Sequence, residues 1–215
     1  MKFYLGNVGK LEDVELLKEH GMGTFLTATA WRSPKPGLPY ALDNGAYSHY
    51  LHGTEFDEKR FDDFLSRHLQ LETRPDFAVC PDIVAGGLGS FAFSLQYRMR
   101  LTDEIDWYLA VQDGMCPWDL NPVLWRFSGI FIGGTVLWKT VTGPSWVKLA
   151  RAHGKKVHIG RCGTPSRIRW AVAIGADSAD STTPACDFSE KLPELLKALA
   201  GVDDQARLFE DTLIQ

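Results

Sequence analysis

The sequence predicts an α/β protein that folds as a single (β/α)₈ TIM barrel, and three observations lead to this prediction. Short runs rich in β-branched and aromatic residues alternate along the chain with longer stretches of helical periodicity. Most of the short runs are continuously apolar, as expected of parallel strands that are covered on both faces. The chain has 215 residues, of which 45% are hydrophobic, and this suits one domain spanning 1–215 because two halves would each have a marginal core.

The predicted elements follow each other in a regular order. Strands are predicted at 2–6, 24–29, 40–43, 77–82, 107–112, 129–134, 156–160 and 176–180. Helices are predicted at 10–20, 57–71, 90–103, 117–127, 144–153, 165–174 and 188–200. The connection 28–39 is rich in proline and predicts a loop that could form a flap over the site. A doubly wound open sheet is the structural alternative, although no Gly-x-Gly-x-x-Gly motif follows the first strand.

The charges are distributed unevenly along the chain. The formal net charge is -4, with 27 acidic and 23 basic residues. Between Asp119 and Asp177 there is no acidic residue, and the bases of this stretch are Arg126, Lys139, Lys148, Arg151, Lys155, Lys156, Arg161, Arg167 and Arg169. Such segregation predicts a face that binds a polyanion, with solvated helix faces as the simpler alternative.

Neither the cysteines nor the hydropathy point to a metal site, a secreted protein or a membrane protein. Cys80, Cys116, Cys162 and Cys186 form no Cys-x-x-Cys pair, so we expect free thiols and no bound metal. No apolar run is long enough to span a membrane, and the N-terminal residues lack the apolar core of a secretory signal. We therefore expect a cytoplasmic protein that binds no membrane.

Three aspartates end predicted strands or directly follow them. Asp43 ends the third strand, Asp82 the fourth and Asp180 the eighth. A single aspartate in this position is most often a helix cap. In a (β/α)₈ barrel, however, the carboxyl ends of all strands meet at one rim, where the catalytic groups are found. Neighbouring carboxylates repel each other, which costs free energy of folding, so their grouping indicates a function that uses them. The sequence therefore predicts an active site at this rim.

Two carboxylates on opposite sides of an anomeric carbon are required for substitution with retained stereochemistry. One carboxylate attacks the carbon, and the other protonates the leaving group, at a separation of about 5 Å. A two-metal hydrolase is the alternative, although it would usually add histidines, and the six histidines do not gather at these strand ends. Gly133 and Gly134 would let a flat ligand approach the backbone. Gln112 offers a donor and an acceptor to an amide-like base edge.

Several motifs resemble those of the tRNA-guanine transglycosylase superfamily. The segment 43–47 (Asp-Asn-Gly-Ala-Tyr) is similar to its Asp-Ser-Gly-Gly-Phe, and 110–114 (Ala-Val-Gln-Asp-Gly) to its Val-Gln-Gly-Gly. Ile132-Gly133-Gly134 matches Ile-Gly-Gly-Leu. The longest match combines Gly163-Thr164-Pro165, the run 173–180 and Pro184, at the family's internal spacing. The resemblance runs in order from about 41 to 184.

The chain also departs from the tRNA enzymes of that superfamily. It is far shorter, and it lacks their zinc site of three cysteines and a histidine. In its short length, its missing zinc site and the residues of its motifs, the chain resembles the compact DpdA-like deazaguanine DNA transglycosylases of phages and bacterial modification clusters. This resemblance implies a (β/α)₈ barrel without the zinc module that exchanges guanine in DNA for a free 7-deazaguanine base, without a cofactor. It also implies a possible homodimer.

The resemblance assigns roles to individual residues. It implies Asp180 as nucleophile, Asp43 as general acid and base, and Asp82 as reader of the guanine N1–H and amino edge. Gln112 and the backbone of Gly133 and Gly134 would bind the O6 side, and Asn44 belongs to the same site. Tyr47 would stack on the base, with a core position as the alternative. The cations that would contact the nucleic-acid backbone are Lys139, Arg161, Arg167 and Arg169.

Three other functions stay open at this point. The first is a minimal transglycosylase that acts on tRNA. The second is a non-catalytic barrel subunit that binds nucleic acid, which the presence of both Asp43 and Asp180 disfavours. The third is an unrelated barrel hydrolase. The identity of the inserted base, among 7-cyano-, 7-aminomethyl- and 7-formamidino-deazaguanine, also stays open.

Overall fold

The computed structural model describes residues 1–6, 8–30, 32–182, 185 and 187–201. Asn7, Pro184 and Cys186 lie outside the described residues, as do 202–215 and two further positions. Eight parallel strands close into a barrel in chain order, so the predicted fold class is confirmed. The strands β1 to β8 are Lys2–Gly6, Gly23–Thr27, Tyr40–Asp43, Ala78–Val79, Trp107–Val111, Gly129–Ile132, Lys156–Ile159 and Ser178–Ser181.

Helices surround the barrel and mostly agree with the predicted positions. In the described part of the chain, α1 to α8 are Leu11–Glu19, Ala46–His52, Glu58–Leu69, Gly87–Arg98, Pro117–Leu120, Val136–Ala152, Pro165–Ala173 and Phe188–Leu199. A 3₁₀ turn at Leu124–Arg126 precedes β6. Their buried faces pack on the outer side of the strands to form the main apolar core.

Two connections differ from a regular barrel unit. The described residues between β2 and β3 form no helix, as the prolines predicted, whereas two helices, α2 and α3, follow β3. The sequence analysis missed α2. Its N-cap is Gly45, whose φ of 83° lies in the left-handed region and where a Cβ would stand 2.9 Å from the Thr29 side chain. The side chain of Asn44 accepts a hydrogen bond from the Ala46 N–H and so closes this turn.

Two predicted helices have other boundaries in the structure. The segment predicted at 117–127 is divided into α5 and the 3₁₀ turn, because Pro122 cannot continue the helix. The helix predicted to begin at Pro144 begins at Val136 instead. Thr135 caps α6 by accepting a hydrogen bond from the Trp138 N–H at 3.3 Å, and Pro144 is accommodated inside the helix.

The interior of the barrel is filled with aromatic rings. Phe77 and Tyr108 stack with ring centroids 4.2 Å apart, and Tyr4 meets Phe77 edge-on at 5.6 Å. Phe25 and Phe131 lie one level higher, with centroids 6.2 Å apart. These rings form a closed apolar floor below the carboxyl ends of the strands.

Glycines make room for two of these rings. A Cβ at Gly160 would stand 2.5 Å from the ring of Phe131, and one at Gly129 would stand 2.7 Å from the ring of Tyr108. Both distances are shorter than any ordinary carbon contact. The glycines therefore allow the interior rings to lie flat against the strands, and the space above the floor stays open.

Candidate active site

A pocket of about 840 Å³ opens above the aromatic floor at the carboxyl ends of the strands. Of the twelve site residues predicted from the sequence, all except Arg169 line this pocket. They are Asp43, Asn44, Tyr47, Asp82, Gln112, Gly133, Gly134, Lys139, Arg161, Arg167 and Asp180. These residues come from connections that are far apart in sequence, and the closure of the barrel brings them together.

Asp43 is a buried carboxyl group close to the negative charges of Asp82 and Asp180. It ends β3 and keeps some contact with the pocket. Burial, followed by the negative charges of Asp180 and Asp82, raises the pKa of Asp43 to about 7, although hydrogen bonds from Thr27 and Gly45 oppose this. A carboxyl group with this pKa carries its proton in a large fraction of molecules at neutral pH, as a general acid requires.

Asp82 is held by two amide side chains. Asn44 donates to its Oδ1 at 2.7 Å, and Gln112 approaches its Oδ2 at 3.4 Å. Burial raises the pKa of Asp82 to about 6, although the hydrogen bond from Asn44 lowers it. At neutral pH most molecules therefore present an oriented carboxylate here, which can accept hydrogen bonds from a pair of N–H groups on a ligand.

The two amides act on Asp82 and on the backbone more than on the open pocket. Gln112 also donates to the Ile83 carbonyl at 2.9 Å and accepts from the Ala85 N–H at 2.6 Å. Asn44 also donates to the Cys80 carbonyl at 2.9 Å. The direct contact of Gln112 with a base, which the resemblance implied, would have to displace one of these bonds. In the structure, both side chains position Asp82.

Asp180 is bound through one of its two oxygens. Its Oδ1 lies 2.9 Å from Nε2 of His158 and accepts a hydrogen bond from the Arg161 N–H at 3.2 Å. Among the described residues, none hydrogen-bonds Oδ2. The side chain is 7% exposed and lines the pocket. One oxygen is thus fixed, and the other is available to a ligand.

The glycine pair after β6 lines the pocket, and its backbone lies close to its neighbours in the protein. The φ of Gly134 is 71°, and a Cβ there would stand 2.6 Å from the Asp113 side chain. Asp113 accepts from the N–H and hydroxyl of Thr135, at 2.7 Å each. The Gly133 N–H is bonded to the Val111 carbonyl, so the Gly134 N–H is the donor that this pair can offer a ligand.

Arg161 lies across the mouth of the pocket. Its guanidinium donates to the Gly134 carbonyl at 2.7 Å and stacks on the ring of Tyr47 at 4.4 Å. Its φ of 58° is in the left-handed region, which is costly for a residue with a side chain. Tyr47 is 41% exposed and is therefore a rim residue and not part of the core. Arginine and tyrosine together form a polar and aromatic border.

The other predicted cations occupy three different environments. Lys139 is only 3% exposed, and its Nζ donates to the Gly160 carbonyl at 2.6 Å. Burial and the charge of Arg161 lower the pKa of Lys139 to about 8. Lys139 therefore lines the interior of the pocket and is not exposed at the surface, where contact with a nucleic-acid backbone was expected. Arg167 lines the pocket, whereas Arg169, two residues further along α7, projects from another side of the helix.

The stretch without acidic residues does not form a single positive face. Lys155 and Lys156 lie at the amino end of β7, and Arg161 follows its carboxyl end, so they belong to opposite ends of the barrel. Arg151 is paired with Asp177 at 3.1 Å. The cations at the pocket are instead Lys139, Arg161 and Arg167, joined by Arg32 from the connection between β2 and β3. The sequence analysis did not single out Arg32.

His158 is the second residue of this site that the sequence analysis missed. It lies inside β7 between Val157 and Ile159, and its ring reaches the Asp180 carboxylate. The two-residue period of a strand could have indicated that His158 faces the interior of the barrel. Ser178 and Asp180 share one face of β8, and the register pairs His158 with Ser178. Alternation therefore placed all three side chains inside the barrel.

The described residues contain no candidate metal site, and two comparisons with known proteins found no match. Within the described residues, no three His, Cys, Asp or Glu side chains are grouped so as to hold a metal ion, and none of the helices could cross a membrane. No protein-family model matches the chain, and no curated protein matches it. The resemblance to the transglycosylases therefore stays a prediction.

The raised pKa of Asp43 predicts a pH-dependent gain in stability on removal of its charge. The folded protein binds this proton more tightly than the unfolded chain, so ionisation of Asp43 destabilises the fold as pH rises from about 4 to about 7. Asp43→Asn should therefore raise the free energy of unfolding at pH 8 by up to about 4 kcal/mol, at about 1.4 kcal/mol per pKa unit. The gain should be much smaller at pH 4.

Urea unfolding of the wild type and Asp43→Asn at both pH values measures this difference. An equal change at pH 4 and pH 8 would show that Asp43 does not carry a raised pKa in the folded protein.

Proposed function

We propose that this protein exchanges a guanine base in DNA for a free 7-deazaguanine by double displacement through a covalent link between Asp180 and the sugar. The observation that carries the proposal is the arrangement of Asp43, Asp82 and Asp180 around one pocket, each with different partners. Asp43 has a raised pKa, Asp82 is oriented by amides, and Asp180 has one oxygen fixed. These are the acid, the base reader and the nucleophile that such a reaction needs.

In the first half of the reaction, Oδ2 of Asp180 forms a bond to C1′ of the target deoxyguanosine. The bond between C1′ and N9 breaks, and its electron pair goes to the departing guanine. Asp43 supplies the proton that neutralises this base. The aspartates stabilise the positive charge that develops on the sugar in the transition state.

In the second half, a 7-deazaguanine occupies the place of guanine. Asp43, now a carboxylate, takes the proton from N9, and the N9 electron pair forms the new bond to C1′. The bond between C1′ and Oδ2 breaks, and its electron pair returns to Asp180. One N-glycosidic bond has replaced another, so the reaction balances without an oxidant or an energy source.

Recognition of the base follows from the charge and position of Asp82. A carboxylate accepts hydrogen bonds only, so it favours a base edge with two adjacent donors, such as the N1–H and amino group of guanine. Guanine and 7-deazaguanines share this edge. The Gly134 N–H would donate to the O6 side, and the Phe25 and Phe131 rings form the apolar floor.

The cations at the pocket favour a nucleotide within a polyanion as the substrate. Arg32, Arg161 and Arg167 line the pocket that Asp180 also lines. They would contact the phosphates on either side of the target nucleotide. The base must leave the helical stack to reach Asp82, so the target is a flipped or single-stranded nucleotide. Exchange in tRNA would use the same groups.

Trapping of the covalent intermediate tests the proposed function. Wild-type protein incubated with guanine-containing single-stranded DNA, with the released guanine removed, should form an adduct that denaturing gel electrophoresis resolves. Asp180→Ala should form none, because the attacking oxygen is gone. Asp106→Asn removes an exposed carboxylate at the opposite end of the barrel and should form the wild-type amount.

Parallel reactions with isotopically labelled 7-deazaguanines and either DNA or tRNA identify the polymer. The proposal would be contradicted if the wild type formed no adduct and incorporated no label with DNA and with tRNA alike.

The pKa values of Asp82 and Asp43 predict a narrow pH optimum for the reaction. Below about pH 6, Asp82 becomes protonated and no longer accepts hydrogen bonds from the base. Above about pH 7, Asp43 loses the proton that the departing guanine needs. The kcat/KM for DNA should therefore be bell-shaped, with a maximum between about pH 6 and 7, since this parameter reports the groups of the free enzyme.

Initial rates of label incorporation between pH 5 and 9, with circular dichroism at each pH to confirm folding, measure the profile. A rate that continues to increase above pH 8 would exclude Asp43 as the acid.

A further inference from the structure

His158 is a polar residue in an otherwise apolar part of the barrel. It is fully buried, and four rings surround it: Tyr4, Phe25, Phe77 and Phe131. The Phe131 ring stacks on the imidazole with an interplanar angle of 14° and centroids 5.1 Å apart. The rings therefore fix the plane of the imidazole.

The imidazole has two polar contacts, one at each nitrogen. Nδ1 lies 2.8 Å from the Ser178 hydroxyl, and Nε2 lies 2.9 Å from Oδ1 of Asp180. A carboxylate can only accept, so Nε2 must carry a hydrogen. In the neutral ring, Nδ1 then accepts from the hydroxyl of Ser178. The carboxylate therefore selects the tautomer that donates to it, and the hydroxyl of Ser178 holds the other nitrogen.

Packing alone does not explain a histidine at this position. An aliphatic side chain would fill the same space among the rings without the cost of burying two polar nitrogens. The polar atoms of His158 are compensated by Ser178 and by the residue that we identify as the nucleophile, so the arrangement serves the carboxylate.

We propose that His158, held by Ser178, is a positioning residue that fixes Oδ1 of Asp180 so that Oδ2 faces the sugar carbon. This inference rests on the proposed function. In the first half of the reaction, the hydrogen bond limits rotation of the carboxylate, and the attacking oxygen is oriented before the substrate arrives. The Arg161 N–H, which also donates to Oδ1, gives the second point of attachment.

The same hydrogen bond acts on the second half of the reaction. When C1′ is attached to Oδ2, Oδ1 is an uncharged ester carbonyl. As the C1′–Oδ2 bond breaks, its electron pair restores the carboxylate charge, and the hydrogen bond from Nε2 strengthens as this charge develops. His158 therefore makes Asp180 a better leaving group, so its loss should slow the release of the sugar as well as the attack.

Three variants separate positioning from packing. His158→Leu fills much of the ring volume and removes the donor. His158→Gln retains an N–H that can reach Asp180. Ser178→Ala leaves the imidazole in place and removes the hydrogen bond that holds its Nδ1. Rapid-quench measurements give the rate of adduct formation on DNA and, after a chase with excess 7-deazaguanine, the rate of adduct breakdown.

We expect His158→Leu to reduce the rate of adduct breakdown by about 100-fold, the effect of one lost donor at a developing charge. It should also reduce the rate of adduct formation, because the attacking oxygen is no longer oriented. His158→Gln should restore at least about a tenth of the wild-type rates, and Ser178→Ala should lie between the two. The KM for the free base should change little, because Asp82 binds that base. Thermal unfolding of His158→Leu should show a lower melting temperature, because Ser178 and Asp180 each lose a buried hydrogen-bond partner. The rates are therefore measured at a temperature at which circular dichroism shows the variant to be folded.

Wild-type formation and breakdown rates in a folded His158→Leu would overturn the proposal, as would equal losses in the leucine and glutamine variants. Nitrogen NMR of labelled histidine provides a readout that does not need activity. We expect the proton of His158 on Nε2, and a proton on Nδ1 alone would also overturn the proposal. If the wild type forms no adduct, the proposed function fails, while the NMR result still decides how His158 holds Asp180.

Discussion

The proximity of three carboxyl groups at one rim of the barrel is the constraint on which the rest of the site depends. Asp43, Asp82 and Asp180 come from β3, the connection after β4, and β8, and closure of the barrel brings all three to one pocket. Burial and the negative charges of the other two act together on Asp43 and raise its pKa to about 7. The same proximity that disfavours ionisation keeps a protonated carboxyl group in the pocket near neutral pH, as a general acid requires.

The surroundings give the three chemically identical groups different properties. Asp82 receives amide donors, and Asp180 receives an imidazole and a backbone N–H on one oxygen. Below them, the aromatic floor fills the interior of the barrel. At the rim, Arg161 bridges Gly134 and Tyr47. A ligand therefore meets cations first, then the carboxylates, and finally an apolar surface. This order suits a nucleotide that enters with its base leading.

The sequence predicted the parts of the site that depend on position along a strand. Asp43 and Asp180 end strands, and all parallel strands end at one rim, so their convergence followed from the strand pattern. Properties that depend on the direction of a side chain were not predicted. Lys139 is buried because α6 begins eight residues before Pro144. Gln112 points to Asp82 and the backbone around Ala85, whose placement depends on a connection with no periodicity.

The identity of the nucleophile is the central claim, and peptide mapping of the trapped complex tests it most directly. Protease and nuclease digestion, followed by tandem mass spectrometry, locates the deoxyribose on one side chain. The account predicts the sugar on Asp180. Lys139 is the informative competitor, because it is a buried amine in the same pocket with its pKa lowered to about 8. A sugar attached to Lys139 or to Asp43 would contradict the account.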